Sequence, residues 1–314
     1  MKALITGMSG FVGQYLYTEL LRCGYTVAGT CLPNDNHADN GIYYKMNILN
    51  EEDIEKVLTD FCPDEVYHLA GQSSVALSWD KPKLTIDINV NGTINLLNAV
   101  KKIVPKAKVL IVGSSDEYGI VKPDECPVNE YHVLNPVSPY GISKMTQEKV
   151  AEIFAKAYNL NIIMVRPFNH IGAGQGRGFV VSDFAARIAA LEKVSDKAVI
   201  KVGNLHSYRD FTAVEDVVKA YVKLLQHGKI GEVYNVGSGE AIEVQEILKT
   251  LLSYSKKDIK IVEDIALYRP IDVPIVKCDN SKLKKDTGWV VKKDVKEALL
   301  DVLNYWRNKE GSKL

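Results

Sequence analysis

Lys2-Ala3-Leu4-Ile5-Thr6-Gly7-Met8-Ser9-Gly10-Phe11-Val12-Gly13 opens the chain and decides how the rest of it is read. The first five residues are a short apolar run, and after Gly13 come Leu16, Leu20 and Leu21 at helical spacing. A strand passing through a glycine turn into a helix is the phosphate-cradling unit of a dinucleotide fold. Gly7 permits the tight turn, Gly10 lets backbone approach a pyrophosphate, and Gly13 lets the helix pack close to the strand, with the anion at the helix amino terminus. The spacing is G-x-x-G-x-x-G rather than G-x-G-x-x-G. With Ser9, Phe11 and Val12 between them, these glycines are the first candidate residues for NAD or NADP.

Outward from this turn, strand and helix signals alternate. Strands are expected at 26–30, 42–46, 65–68, 109–113 and 162–165, with helices over 11–23, 51–61, 86–103 and 139–158. Such a βαβ series points to an α/β fold, a doubly wound parallel Rossmann-type sheet with helices on both faces. After Arg166 the alternation becomes irregular, with Gly- and Asn-rich loops at 169–178, 203–204 and 237–239. Residues 1–166 are therefore read as the dinucleotide-binding domain, with returning segments near 204–230. Residues 167–314 are read mainly as a smaller mixed α/β portion that binds substrate. No internal repeat or low-complexity linker interrupts the chain.

Composition excludes several classes. Among 314 residues, 39 basic and 39 acidic side chains cancel, and no basic block is interleaved with aromatics, so nucleic acid is not an expected partner. No apolar run approaches the roughly 20 residues needed to span a bilayer. Met1-Lys2 leads directly into a strand, without room for a signal region. The five cysteines, Cys23, Cys31, Cys62, Cys126 and Cys278, are odd in number, scattered and without metal-ligand spacing. They suit reduced thiols in a cytoplasmic protein.

The chemistry gathers in the middle of the chain. Val109-Leu110-Ile111-Val112-Gly113 runs into Ser114-Ser115-Asp116-Glu117-Tyr118-Gly119 at the carboxyl end of a strand, where open α/β sheets bind ligands. Asp116 and Glu117 either serve there or cap a turn. Next comes Tyr140-Gly141-Ile142-Ser143-Lys144. The spacing puts Tyr140 and Lys144 on one helical face, so that the ammonium can sit beneath the phenol and lower the cost of a phenolate. Tyr140 is thus a candidate proton donor or acceptor. The second strand ends in Thr30-Cys31-Leu32-Pro33-Asn34, with neither an acid for a ribose 2′-hydroxyl nor an arginine for a 2′-phosphate. Asp35 follows as either a turn residue or a ribose ligand, and the missing cation favours NAD.

Together these segments resemble the extended short-chain dehydrogenase/reductase family, the NAD-dependent epimerases and dehydratases. The likeness runs through the glycine turn, His68-Leu69-Ala70-Gly71, Asn89-Val90-Asn91-Gly92-Thr93, the Ser114 to Gly119 segment, Tyr140 to Lys144, and Arg209-Asp210-Phe211. It implies a hydride enzyme in which Tyr140 is the acid or base and Lys144 binds the nicotinamide ribose and depresses the tyrosine pKa. Ser114 or Ser115 would bond the substrate oxygen, and counting back from Gly119 the family's hydroxyl falls on Ser114. The resemblance also carries cofactor contacts to Asn47, Ile48, Leu69, Ala70 and Gly71. Helices 86–103 and 139–158 carry apolar residues beyond one stripe, Ile94, Leu97, Val150, Ile153 and Phe154; burial against the sheet accounts for most of them, and the resemblance further implies a homodimer built on these two helices.

The second half is similar to the branch acting on GDP-linked sugars, the GDP-mannose 4,6-dehydratases and GDP-6-deoxy-4-keto-hexose reductases. Phe168-Asn169-His170, Gly174-Gln175, Gly178-Phe179-Val180, Val202-Gly203-Asn204-Leu205, Tyr268-Arg269-Pro270 and Val273-Pro274 follow its order. Candidate substrate residues are therefore Asn169, Val180, Asn204, Arg209, Arg269 and Asp272, with forked arginine donors for phosphate oxygens and Asp272 for the guanine edge. The dehydratases carry Glu where this chain has Asp116, and a hydrophobic residue where it has Glu117. An aspartate is about 1.5 Å shorter in reach, which matters for carbon-acid proton abstraction. The pattern favours a reductase of a GDP-linked 4-keto-6-deoxyhexose. Alternatives are a 4,6-dehydratase with Asp116 as base and Ser115 assisting, a C4 dehydrogenase or epimerase, and a non-catalytic NAD(P)-binding regulator.

Overall fold

A computed structural model describes residues 1–35, 41–193, 198–268 and 273–311. The first half contains β1 (Lys2–Thr6), α1 (Phe11–Arg22), β2 (Thr26–Cys31), β3 (Ile42–Lys45), α2 (Glu51–Phe61), β4 (Glu65–His68), α3 (Val75–Asp80), α4 (Pro82–Ile86), α5 (Gly92–Ile103), β5 (Lys108–Val112), α6 (Pro139–Tyr158) and β6 (Asn161–Pro167). The second half adds β7 (Asn169–Ile171), α7 (Val180–Leu191), β8 (Ala198–Val202), β9 (Tyr208–Ala213), α8 (Val214–His227), β10 (Val233–Val236) and β11 (Ala241–Glu243). After these come α9 (Val244–Ser253), β12 (Ile259–Glu263), β13 (Ile275–Val276), α10 (Ser281–Thr287) and α11 (Val295–Gly311).

Among the described residues, seven parallel strands form the main sheet in the order β10-β6-β5-β4-β1-β2-β3. β5 and the apolar stretch of β6 are continuous runs because helices cover both faces, leaving no polar side. On one face α1 and α8 pack over Leu110, Ile163 and Val165; on the other, α2, α5 and α6 pack over Val109, Ile162 and Met164. Strand order reverses at β1, so the carboxyl ends of β1 and β4 mark the switch point where such sheets take ligands.

Helix starts follow from their caps. The Asn50 side chain accepts from the Glu52 and Asp53 N–H groups, and Glu51, Glu52 and Asp53 complement the dipole of α2. Ser138 accepts from Gly141 N at 3.0 Å and Pro139 takes the first position of α6, which fixes where Tyr140 and Lys144 stand.

The expected helix 86–103 is not one regular helix. A π-helical turn, Asp87–Asn91, separates α4 from α5. It turns the buried Asn89 inward, where its amide donates to Gln72 O at 3.0 Å and Ser143 Oγ at 2.9 Å, while Gln72 N donates back at 2.8 Å. These bonds offset the looser turn, and a single inserted residue leaves almost no trace in apolar periodicity.

A second sheet holds β11, β9 and β13, with β7 paired to β9, and β12 pairs with β8. Its core lies among α7, α9 and α11. Asp210 of β9 ties this part to the main sheet. Its carboxylate accepts from Ser238 N and Oγ, 2.7 and 2.6 Å, from Gly239 N at 2.8 Å and from Cys278 N at 3.1 Å.

Candidate active site

A cavity of about 1060 Å³ follows the carboxyl edge of the main sheet. At one end is the glycine turn. Gly7 has φ +73°, a left-handed conformation open to glycine, and a Cβ on Gly13 would come 2.6 Å from Met8 Cα. Gly10 begins α1 without a side-chain cap, so the first amides of the helix are presented toward the cavity, as a pyrophosphate requires. Ser9, Phe11, Val12, Asn47, Ile48, Leu69, Ala70 and Gly71 line the same space. Thr30 accepts from Gly7 N at 3.1 Å, and Ser9 Oγ donates to Asp35 at 3.4 Å, so Asp35 faces this end. These residues fit a dinucleotide.

Ser114, Ser115, Asp116, Tyr140 and Lys144 line the other end. Ser114 Oγ accepts from Asp116 N at 3.1 Å and donates to Asp116 Oδ2 at 3.0 Å. Lys144 Nζ donates to Val112 O at 2.8 Å and Gln147 Oε1 at 3.0 Å, and burial lowers its pKa to about 8. The expected depression of the Tyr140 pKa is not present. Burial first, and then the Asp116 charge, push it well up, while hydrogen bonding with Ser114 acts the other way. The Lys144 charge is spent on a backbone carbonyl and Gln147 rather than on the phenol. Tyr140 is therefore a neutral phenol, suited to donate a proton.

Glu117 has a different place from its neighbour. Fully buried, it accepts from Ser114 N at 2.7 Å and faces Arg166 Nε at 3.6 Å. Arg166 in turn makes a two-pronged pair with Glu148, 2.8 and 2.7 Å, and donates to Tyr118 Oη at 2.9 Å. Burial, then the proximity of Glu148, raise the Glu117 pKa well above the carboxylate range. His68 is structural: it bridges Thr6 and Thr93 at 2.8 and 3.0 Å, and burial takes its pKa down to about 3.

From the second half, Asn169, Val180 and Arg209 reach the cavity. The Phe11 and His170 rings stack at 6.2 Å, and Tyr15 Oη donates to Ala173 O at 2.8 Å, so the glycine turn and the later loops share one wall. Asn204 does not line the cavity; its side-chain oxygen accepts from His206 N at 2.9 Å and closes a local turn. Arg269 and Asp272 lie outside the described residues.

Residues 4–302 match the family model described as GDP-mannose 4,6 dehydratase. The chain belongs to that family. It is 32% identical over 308 residues to the GDP-6-deoxy-D-mannose reductase of Pseudomonas aeruginosa, covering 98% of each chain. It is 28% identical over 333 residues to a Vibrio cholerae GDP-mannose 4,6-dehydratase, covering 92% of this chain and 88% of the other. Among solved structures, RMD from Pseudomonas aeruginosa complexed with NADPH superposes with a TM-score of 0.86 at 32% identity, over 98% of this chain and 99% of that one. Membership agrees with the short-chain dehydrogenase/reductase motifs and the Rossmann-type sheet, and makes the chain an NAD(P)-dependent oxidoreductase of the nucleotide-sugar type.

Two further residues of the cavity stand outside the candidate set that the sequence offers. Tyr221 and Gln175 line the cavity, and Tyr221 Oη and Gln175 Oε1 are buried without a hydrogen-bond partner among the described residues. Gln175 belongs to the Gly174-Gln175 motif, which marks it in the sequence. Tyr221 lies inside an ordinary amphipathic helix, where nothing local separates a site residue from a core residue.

Proposed function

We propose that this chain reduces the ketone of a GDP-linked 4-keto-6-deoxyhexose, with NAD(P)H as the hydride source. The observation that carries the reading is the Ser114–Asp116 pair beside a protonated Tyr140. At the position where the dehydratases of the resembling branch carry a glutamate, this chain has a shorter carboxylate bonded to the Ser114 hydroxyl. The similarity to a GDP-6-deoxy-D-mannose reductase over 98% of both chains supports the same choice.

In this reading the turn from Gly7 to Gly13 takes the pyrophosphate, Lys144 the nicotinamide ribose, and bound NAD(P)H supplies hydride to C4. Tyr140 gives its proton to the ketone oxygen as the alcohol forms. The Asp116 N–H fixes Ser114 Oγ, so that the serine proton can turn from the Asp116 carboxylate to the ketone and polarise it. Asn169, Val180 and Arg209, with Arg269 and Asp272, hold the nucleotide diphosphate. Residues 1–166, with returning segments near 204–230, serve the cofactor, and 167–314 mainly the sugar nucleotide. Asp35 favours NADH, since a carboxylate there suits a ribose hydroxyl better than a phosphate. We extend the proposal to a cytoplasmic homodimer, supported by the five free cysteines and by the exposed Ile142, Ile153 and Tyr158 on α6.

The test is incubation of the protein with GDP-4-keto-6-deoxymannose and NADH or NADPH. Stoichiometric oxidation of the cofactor is expected. Conversion of GDP-mannose to a 4-keto-6-deoxy product with only catalytic NAD(P) would overturn the reading in favour of dehydration.

A further inference from the structure

Tyr221 approaches the inner cavity from the side of the sheet opposite Tyr140. It stands in α8 and packs with Leu110, Ile163 and Val165, whereas α6, which carries Tyr140, packs on the side of Ile162 and Met164. Its side chain is wholly buried and yet borders the cavity, along with Val112, Gly113 and Pro167. Its hydroxyl has no hydrogen-bond partner among the described residues. A core site alone favours phenylalanine, which fills the same space without an unpaired hydroxyl. Burial and the nearby Tyr140 push the Tyr221 pKa up, so it is present as a neutral O–H donor.

The missing partner is an acceptor located at the carboxyl ends of β5 and β6. Sugar-binding candidates come from β7, β9 and the start of α7, whereas Tyr221 comes from α8, which packs beside α1 and the glycine turn. A nicotinamide ring at that edge has one neutral acceptor to offer. We infer that Tyr221 Oη donates to the carboxamide oxygen of the bound cofactor and is a specific anchor for the nicotinamide end. This rests on the reading of the cavity as a dinucleotide site.

The experiment compares wild type with Tyr221→Phe in equilibrium titrations with NADH, with ADP-ribose, which lacks the nicotinamide, and with thionicotinamide adenine dinucleotide in reduced form, in which sulfur replaces the carboxamide oxygen. Tyr221→Phe is expected to bind NADH about tenfold more weakly and ADP-ribose unchanged. Wild type is expected to prefer NADH over its thio analogue, and the variant to lose that preference. The ligand-free variant is expected to melt at the same temperature as wild type or higher. Equal NADH affinity in the two proteins, an equal loss for ADP-ribose, or a lower ligand-free melting temperature overturns the inference while leaving the dinucleotide site intact. Indifference of wild type to the oxygen-to-sulfur change would overturn it by itself. Wild type that binds neither NADH nor ADP-ribose overturns both the inference and the reading beneath it.

Discussion

The turn from Gly7 to Gly13 and the segment from Ser114 to Glu117 border one cavity but shape it by opposite means. The turn works by lacking side chains at its glycines: positive φ at Gly7 and the close approach at Gly13 bring backbone amides up to the ligand space. The segment works by side chains, and the serine's position depends on charges buried behind it. Ser114 N is held by Glu117, Glu117 faces Arg166, and Arg166 is clasped by Glu148. One region is therefore sensitive to added atoms and the other to removed charges.

Five substitutions and one pH profile probe that contrast. The largest effect is expected from Tyr140→Phe, which removes the proton donor: kcat should fall about 10²–10⁴-fold while NADH affinity holds, measured by steady-state kinetics and titration. Retained turnover would deny Tyr140 its role as proton donor. Arg166→Met leaves the buried Glu148 carboxylate without its guanidinium partner beside Glu117 and should lower stability by about 3–5 kcal/mol in urea unfolding. A loss below about 1 kcal/mol would mean that the charge cluster does not support the serine segment.

Lys144 should give kcat/KM an alkaline limb. With its pKa near 8, the ammonium is lost as pH rises through that value, and activity with it. Stability should move the other way. Between about 8 and the ordinary lysine value of 10.5 the unfolded chain binds the proton more tightly, so unfolding becomes harder as pH rises. Lys144→Met should remove its share of both slopes, and an unchanged kcat/KM profile would deny the lysine its role. Gly13→Ala should lower stability by about 1–3 kcal/mol, by forcing Met8 and α1 apart, and weaken ADP-ribose binding too. Undisturbed ADP-ribose affinity would separate helix packing from phosphate binding. The smallest effect is expected from Asp35→Asn, a shift of about fivefold in the kcat/KM ratio toward NADPH.

Most of the sheet was legible because buried parallel strands are apolar runs and the glycine turn gives their starting point. Strands 65–68 and 162–165 form as read, the latter within a longer β6. The π-helical turn was not legible, since periodicity averages over a single inserted residue. At the site, Tyr140 and Lys144 border one cavity, but the electrostatic outcome depends on burial and on Asp116, which spacing does not report. Glu117 looked like a departure from a pattern. Its meaning lies in Arg166 and Glu148, brought to it only by folding. Asn204 fitted a motif, and its side-chain oxygen also closes a local turn that the motif does not announce.

The clasp formed by Asp210 bears on how this molecule can move. Its carboxylate grips Ser238 and Gly239 just beyond β10, an edge strand of the main sheet, and Cys278 just beyond β13 of the second sheet. A hinge between the two sheets would have to break several charge-assisted bonds at once. In hydrogen exchange, the amides of Ser238, Gly239 and Cys278 should share a single opening rate, set by one ionised side chain common to both halves.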